Sequence, residues 1–193
     1  MNSNIILCGV GGQGTVLASK LIAAAALANE IPVMSAETIG MAQKGGSVFS
    51  FIRMGEELHT PMIPLGGADV LIGFEPAEAV RMLPYLKKGG SVIVNSCPVK
   101  PVTAVLTDSG YDGTEMIEYL KKKVESLTVV DCSAACTELG SERVANMVLL
   151  GAALETGKIS VTKEEIRKAL RKRLKESLWA LNDRALDYTA EEK

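Results

Sequence analysis

The residues best arranged to do chemistry are Gly9-Val10-Gly11-Gly12-Gln13-Gly14. They follow a short apolar run, Asn4–Gly9, and precede an alanine-rich stretch of helical spacing. A G-x-G-x-x-G pattern in that setting can cradle an anion. Its glycines permit a tight turn and close backbone approach, and the helix that follows offers unpaired N–H groups and the positive end of its dipole. A dinucleotide site also wants an acid at the end of the second strand for the ribose, and Glu37 stands near that place. The alternative is structural: the glycines only let the helix pack on the strand, and Glu37 is a plain loop or cap residue. A second stretch, Lys44-Gly45-Gly46-Ser47, joins a polar loop to a strand. A lysine beside glycines and a serine can reach an anion while backbone amides face it. Ligands of open parallel sheets sit beyond the carboxyl ends of the strands, so this loop could share a crevice with Gly9–Gly14; otherwise it is a mobile glycine turn.

Two further groups carry weaker signals. Asn146, near the start of an apolar helix, could hydrogen-bond a loop or ligand, or serve only the helix start. Arg167, Lys168, Arg171, Lys172, Arg173 and Lys175 form a cationic cluster with no acid among them. It reads first as a solvated helix face, then as a docking surface for an acidic partner, and last as a nucleic-acid contact.

Composition narrows the field. With 47% apolar and 23% charged residues the chain is globular rather than disordered. A net charge of −2 and 4% aromatics leave neither a basic field nor a base-stacking platform for nucleic acid. The single histidine, His59, argues against a His-based metal cluster or relay. No apolar run approaches the ~20 residues of a membrane span, and Met1-Asn2-Ser3-Asn4 lacks the cations of a signal peptide. Cys8, Cys97, Cys132 and Cys136 sit in apolar contexts and read as reduced, mostly buried thiols of a cytoplasmic protein. A reactive Cys132/Cys136 pair is the sharper alternative. There is no P-loop, no G-x-S-x-G elbow and no evident carboxylate pair, so the chain lacks a complete set of catalytic groups.

The elements that must position these residues alternate. Asn4–Gly9 reads as a strand, Thr15–Asn29 as a helix and Ile31–Ala36 as a strand. Ser47–Met54 reads as a strand, turning at Gly55-Glu56-Glu57 into a returning strand over Leu58–Ile63. Asp69–Phe74 is a strand, and Pro76–Leu86 a helix closed by Lys87-Lys88-Gly89-Gly90. Ser91–Asn95 and Val102–Leu106 read as strands, Glu115–Val124 as a helix, Leu127–Asp131 as a strand and Glu142–Thr156 as a helix. Thr162-Lys163-Glu164-Glu165 is a capping box opening a helix with Ile166, Leu170, Leu174, Leu178 and Leu181 on one stripe. The expectation is one α/β domain over residues 1–193: a Rossmann-like, mostly parallel sheet with helices on both faces, a β-hairpin insertion, and a helical C-terminal extension from about residue 160.

Gly9–Gly14 with Thr15, the Lys44–Ser47 loop, the strand end Asp69–Glu75 and the helix Asn146–Ala152 occur in an order that resembles the gamma-type subunit or domain of the 2-oxoacid:ferredoxin oxidoreductases. The likeness covers most of residues 4–155, and the chain's length and basic C-terminal region are most similar to the family's indolepyruvate branch. The resemblance implies an accessory subunit, inactive alone, in an enzyme that decarboxylates arylpyruvates oxidatively with coenzyme A and passes electrons to ferredoxin. Thiamine diphosphate and iron–sulfur clusters would lie on a larger alpha partner and none on this chain. Gly9, Gly11, Gly12, Gln13, Gly14, Lys44, Gly45, Gly46 and Ser47 would face the anionic groups of the cofactor or coenzyme A, or the partner chain. The family pattern carries arginine where this sequence has Lys44, which keeps the charge but loses the bidentate fork. The competing readings are a free-standing NAD- or FAD-binding oxidoreductase or sensor using Gly9–Gly14 and Glu37, and an interaction protein whose glycine turns are only structural.

Overall fold

The structure is a computed structural model, and it describes residues 2–38, 45–99 and 110–188. Ile5, Ile6, Leu7 and Cys8 of β1 (Ser3–Val10) are all fully buried. A strand covered on both faces belongs inside a sheet, and β1 lies third in a six-stranded one ordered β2-β3-β1-β4-β5-β6. On one side β1 runs parallel to β4 (Ala68–Gly73), with Ile5 opposite Val70; β5 (Leu86–Asn95) and β6 (Ser126–Val130) continue the parallel series. On its other side β1 meets β3 (Ser47–Met54), antiparallel, with Ile5 opposite Ile52. Beyond β3 lies β2 (Val33–Glu37), again antiparallel to it.

The antiparallel insertion is therefore β3, and its hairpin partner is β2. The returning strand expected over Leu58–Ile63 does not form. There the Arg53 guanidinium donates to the carbonyls of Thr60 at 3.0 Å and Met62 at 3.5 Å, doing for the backbone what a strand ladder would otherwise do. Pro61 and Pro64 lack the N–H groups a ladder needs, and only Ile63 of this stretch is buried.

Strand alternation divides the core in two. Ile5 and Leu7 face helices α1 (Thr15–Ala28), α4 (Cys132–Leu139), α5 (Ala145–Glu155), α6 (Lys163–Arg171) and α7 (Trp179–Leu186). Ile6 and Cys8 face α2 (Pro76–Met82) and α3 (Thr114–Lys123). Helices thus cover both faces, as the sequence reading expects.

Three local expectations are revised. The helix from Pro76 ends at Met82 in a 3-10 turn, Leu83–Tyr85, containing Pro84, and β5 already starts at Leu86. Lys87 and Lys88 are strand residues rather than helix-end cations, and Lys87 pairs with Asp69 on β4. Helix α4 is an addition to the expected elements; Asp131 caps it by accepting the Ala134 N–H at 2.9 Å. The single C-terminal stripe is broken: α6 opens on the expected Thr162/Glu165 capping box, but the chain turns at residues 172–175 before a 3-10 turn and α7. The Trp179 indole N–H bonds the Leu174 carbonyl at 3.0 Å and holds that turn. The expected strand Val102–Leu106 lies outside the described residues.

Candidate functional site

At the carboxyl end of β1 the chain turns through Gly11–Gly14 into α1. Gln13 turns inward. Its Oε1 accepts the Val10 N–H at 2.7 Å and its Nε2 donates to the Phe74 carbonyl at 2.9 Å, bracing the turn to the end of β4. A Cβ on Gly9 would lie 2.6 Å from Gln13 Oε1 and 2.7 Å from Phe74 Cβ, so only glycine leaves room for that brace. Gly14 has φ +85°, and a Cβ there would meet Asn146 Nδ2 at 2.6 Å. Gly9 and Gly14 thus face their own chain, whereas a Cβ on Gly12 would have nothing within 4 Å.

The second turn lies against the first. Gly11 N–H donates to Gly46 O at 2.9 Å, and Gly45 N–H to Gly11 O at 3.3 Å. Ser47, paired with Val10, donates its hydroxyl to Glu78. Lys44 lies outside the described residues. A crevice of about 460 Å³ opens beside Gly11, Gly12, Thr15, Lys20, Glu37 and Thr38. Thr15 Oγ1 and Asn146 Oδ1 are both buried without a hydrogen-bond partner among the described residues, and both belong to residues at the start of α1 or packed against it. Glu37 lines the crevice and accepts the Ser19 hydroxyl at 3.0 Å. The arrangement offers backbone, a helix N-terminus and a free hydroxyl, which suits holding an anion and supplies neither nucleophile nor base.

Sequence reasoning missed the groups behind the turn. Glu75, 2% exposed at the end of β4, caps α2 through the Glu78 N–H at 3.0 Å and accepts the Tyr111 hydroxyl. Glu78, also buried, takes the Ser47 hydroxyl and an ion pair with Arg81 at 3.3 Å. The acid just before Pro76 is a capping signal that could have been found. The Tyr111 bond, between distant parts of the chain, has no local signal. Burial first, and then the Glu75 contact, push the Tyr111 pKa above its ordinary value. Because the folded-state value is the higher, this contribution is complete below the unfolded pKa of about 10 and fades as pH rises through the folded value. Tyr111→Phe leaves a buried carboxylate oxygen without its donor and should cost about 2 kcal/mol at pH 7. Urea unfolding should show that deficit, and the gap to wild type should narrow at strongly alkaline pH.

A second pocket, about 430 Å³ at the ends of β5 and β6, is lined by Asn95, Cys97, Cys132 and Cys136. Burial raises the thiol pKa values of Cys8, Cys132 and Cys136; Glu78 adds to the first and Glu142 to the last. The thiolate is the reactive and metal-binding form, so burial works against the reactive-pair alternative. All four cysteines are free, and among the described residues no three His, Cys, Asp or Glu side chains are placed to hold a metal ion. These thiols do not fit an iron–sulfur cluster. Among the described residues, no helix is long and apolar enough to cross a membrane.

Two curated relatives are each an indolepyruvate oxidoreductase subunit IorB. That of Thermococcus kodakarensis is 37% identical, over 87% of this chain and 84% of its own length. That of Archaeoglobus fulgidus is 37% identical, over 96% and 92%. The crystal structure of pyruvate oxidoreductase subunit PORC from Thermotoga maritima superposes with a TM-score of 0.69 at 25% identity, covering 96% of this chain and 93% of that one. Residues 4–192, which include both glycine turns and the α5 helix beneath them, match the pyruvate ferredoxin/flavodoxin oxidoreductase family, and the chain belongs to it.

Proposed function

We propose that this chain is the accessory subunit of an indolepyruvate ferredoxin oxidoreductase, supporting coenzyme A-dependent oxidative decarboxylation of arylpyruvates in the cytoplasm. The observation that carries the reading is the pair of glycine turns hydrogen-bonded to each other, Gly11 to Gly46 and Gly45 to Gly11, with a crevice open beside the first of them. Gly11, Gly12, Gly45 and Gly46 bring backbone close to a phosphate of coenzyme A or of the partner's cofactor, the start of α1 supplies the N–H groups, and Lys44 is the cation assigned to the same phosphate. Gly9, Gln13, Gly14 and Ser47 hold that backbone from behind. The buried Thr15 hydroxyl, which has no partner among the described residues, supports a ligand at this place. Thiamine diphosphate and iron–sulfur clusters reside on a larger alpha subunit; they supply carbanion stabilisation and electron transfer to ferredoxin. This chain contributes position and charge. Residues 1–193 act as one domain, since α6 and α7 share their core with α1 and α5.

Reconstitution tests the reading. The alpha subunit with this chain should reduce ferredoxin from indolepyruvate and coenzyme A, and removing the chain should lower turnover at least ~100-fold, a transition-state deficit of about 2.7 kcal/mol. Full turnover by the alpha subunit alone would overturn it. The free-standing dinucleotide reading is not favoured: Glu37 is already engaged by Ser19, and calorimetry of the isolated chain with NAD, NADP or FAD should show no micromolar binding.

A further inference from the structure

The fold divides the cationic cluster of the C-terminal region into two groups. Arg167 is neutralised by Asp187, by Asp183 at 3.6 Å and by Glu164 at 3.4 Å. Arg171 pairs with Asp183 at 3.1 Å and stacks over Trp179. Both serve the α6–α7 contact. Lys168, Lys172 and Arg173 are different. They are exposed, and no acid among the described residues lies within ion-pair distance of them. Together with Ala24 and Ala28 of α1 and with Ala169 they line a groove of about 400 Å³. Two acids stand close along the chain, Glu30 two residues past Ala28 and Glu176 three past Arg173, and neither forms an ion pair among the described residues. Residues 15–28 contain no Asp or Glu. Glu164, one turn before Lys168, is engaged by Arg167, and Glu165 is committed to the capping box.

We propose that this α1–α6 groove is the docking site for an acidic segment of the companion subunit; the proposal rests on the subunit reading above. An exposed helix normally balances its lysines with acids one turn away. Here the imbalance is local in a chain of net charge −2, so the field is concentrated on one groove. The groove suits a polypeptide better than a small anion. Its floor is alanine, Leu27 beside Ala28 in sequence is 65% exposed, and it lies toward the carboxyl ends of α1 and α6, where no helix N-terminus offers free N–H groups to a small anion. Ala24 and Ala28 lie roughly 14–20 Å along α1 from Thr15 at the 1.5 Å rise of a helix. A ligand in the glycine crevice therefore leaves this groove uncovered. A soluble electron carrier fits less well, because an electron-transfer contact needs a redox centre nearby and the described residues hold no metal-ligand cluster.

The test uses both full-length subunits. Lys168→Gln/Lys172→Gln/Arg173→Gln should raise the dissociation constant of the complex at least tenfold at 50 mM salt and remove most of its salt dependence. Lys168→Glu/Lys172→Glu/Arg173→Glu should raise it further. Turnover at saturating concentrations of the Gln variant should match wild type, and its urea midpoint should be unchanged. Lys88→Gln/Lys122→Gln, which removes exposed cations elsewhere, should leave affinity as it was. Wild-type affinity and salt dependence in the Gln variant would overturn the groove assignment alone. The assignment also falls if deleting residues 189–193, which carry Glu191 and Glu192, lowers the urea midpoint of the wild type and not of the Gln variant while affinity for the companion stays as it was, since the groove would then be taken by the chain's own tail. Failure of the wild-type chain to bind the companion at all would overturn both the groove and the subunit reading.

Discussion

Gly151→Ala should destabilise the chain by about 2–4 kcal/mol, measured as a fall in the urea unfolding midpoint. The sign is informative. Glycine inside a helix is about 1 kcal/mol worse than alanine on propensity, so the same exchange on an exposed face would stabilise. Gly151 lies in the middle of α5, where α7 crosses it. A Cβ there would sit 2.2 Å from the Leu186 carbonyl oxygen, 2.9 Å from the carbonyl carbon and 3.2 Å from its Cα. These are backbone atoms, and no rotamer change clears them. The helices must separate, and overpacking of this kind costs about 1–3 kcal/mol. Separation also lifts Ala185 and Leu186, both fully buried, from the core, and exposing a leucine side chain costs about 1.5–3 kcal/mol. Hydrogen exchange should locate the damage, with amides of α7 losing protection before those of β1. A midpoint equal to or above wild type would mean that α5 and α7 cross with room for a methyl group between them.

The same helix shows which information is local and which is not. Asn146–Ala152 is recognisable as a pattern, but the reasons for Asn146 and Gly151 are contacts with Gly14 and Leu186, far away in sequence. The strand–turn–helix from Asn4 to Ala28 is legible because glycine placement, strand length and helix periodicity are all written within one short window. The antiparallel nature of residues 47–54 is legible too. Its partner is not, because β-propensity favours a strand without naming the neighbour. The C-terminal stripe from Ile166 to Leu181 has spacing that a single helix satisfies. The break comes from the Trp179 bond to Leu174 and the pairs of Arg167 and Arg171 with α7, which exist only once the chain has folded back. At the site, residue types point to the crevice but not to orientation. Gln13 belongs to the motif, yet both ends of its amide are held by the protein's own backbone. Gly12 is left as the glycine of that motif most open to a ligand.

That openness leaves a ligand at Gly12 exposed to whatever charge the residue carries. Gly12→Asp should leave assembly with the companion intact and lower kcat/KM for coenzyme A at least ~100-fold in the complex. Gly12 has φ +108°, so any side chain there is strained by about 1–2 kcal/mol, a loss the fold should survive because a Cβ meets nothing within 4 Å. Charge is the larger effect. A carboxylate at the start of α1 would occupy the positive end of the helix dipole and repel a phosphate seated there. Two unit charges 4 Å apart interact by about 4 kcal/mol at an effective dielectric near 20, and about 2.7 kcal/mol of that already gives a hundredfold loss. Gly12→Asn separates the two causes. It matches aspartate in shape and backbone strain and carries no charge, so it should retain most of the activity that Gly12→Asp loses. Raised salt should partly rescue the aspartate variant and leave the asparagine variant unchanged. If the two variants were equally impaired, the defect would be shape or strain, and the crevice would face the partner's surface rather than an anion.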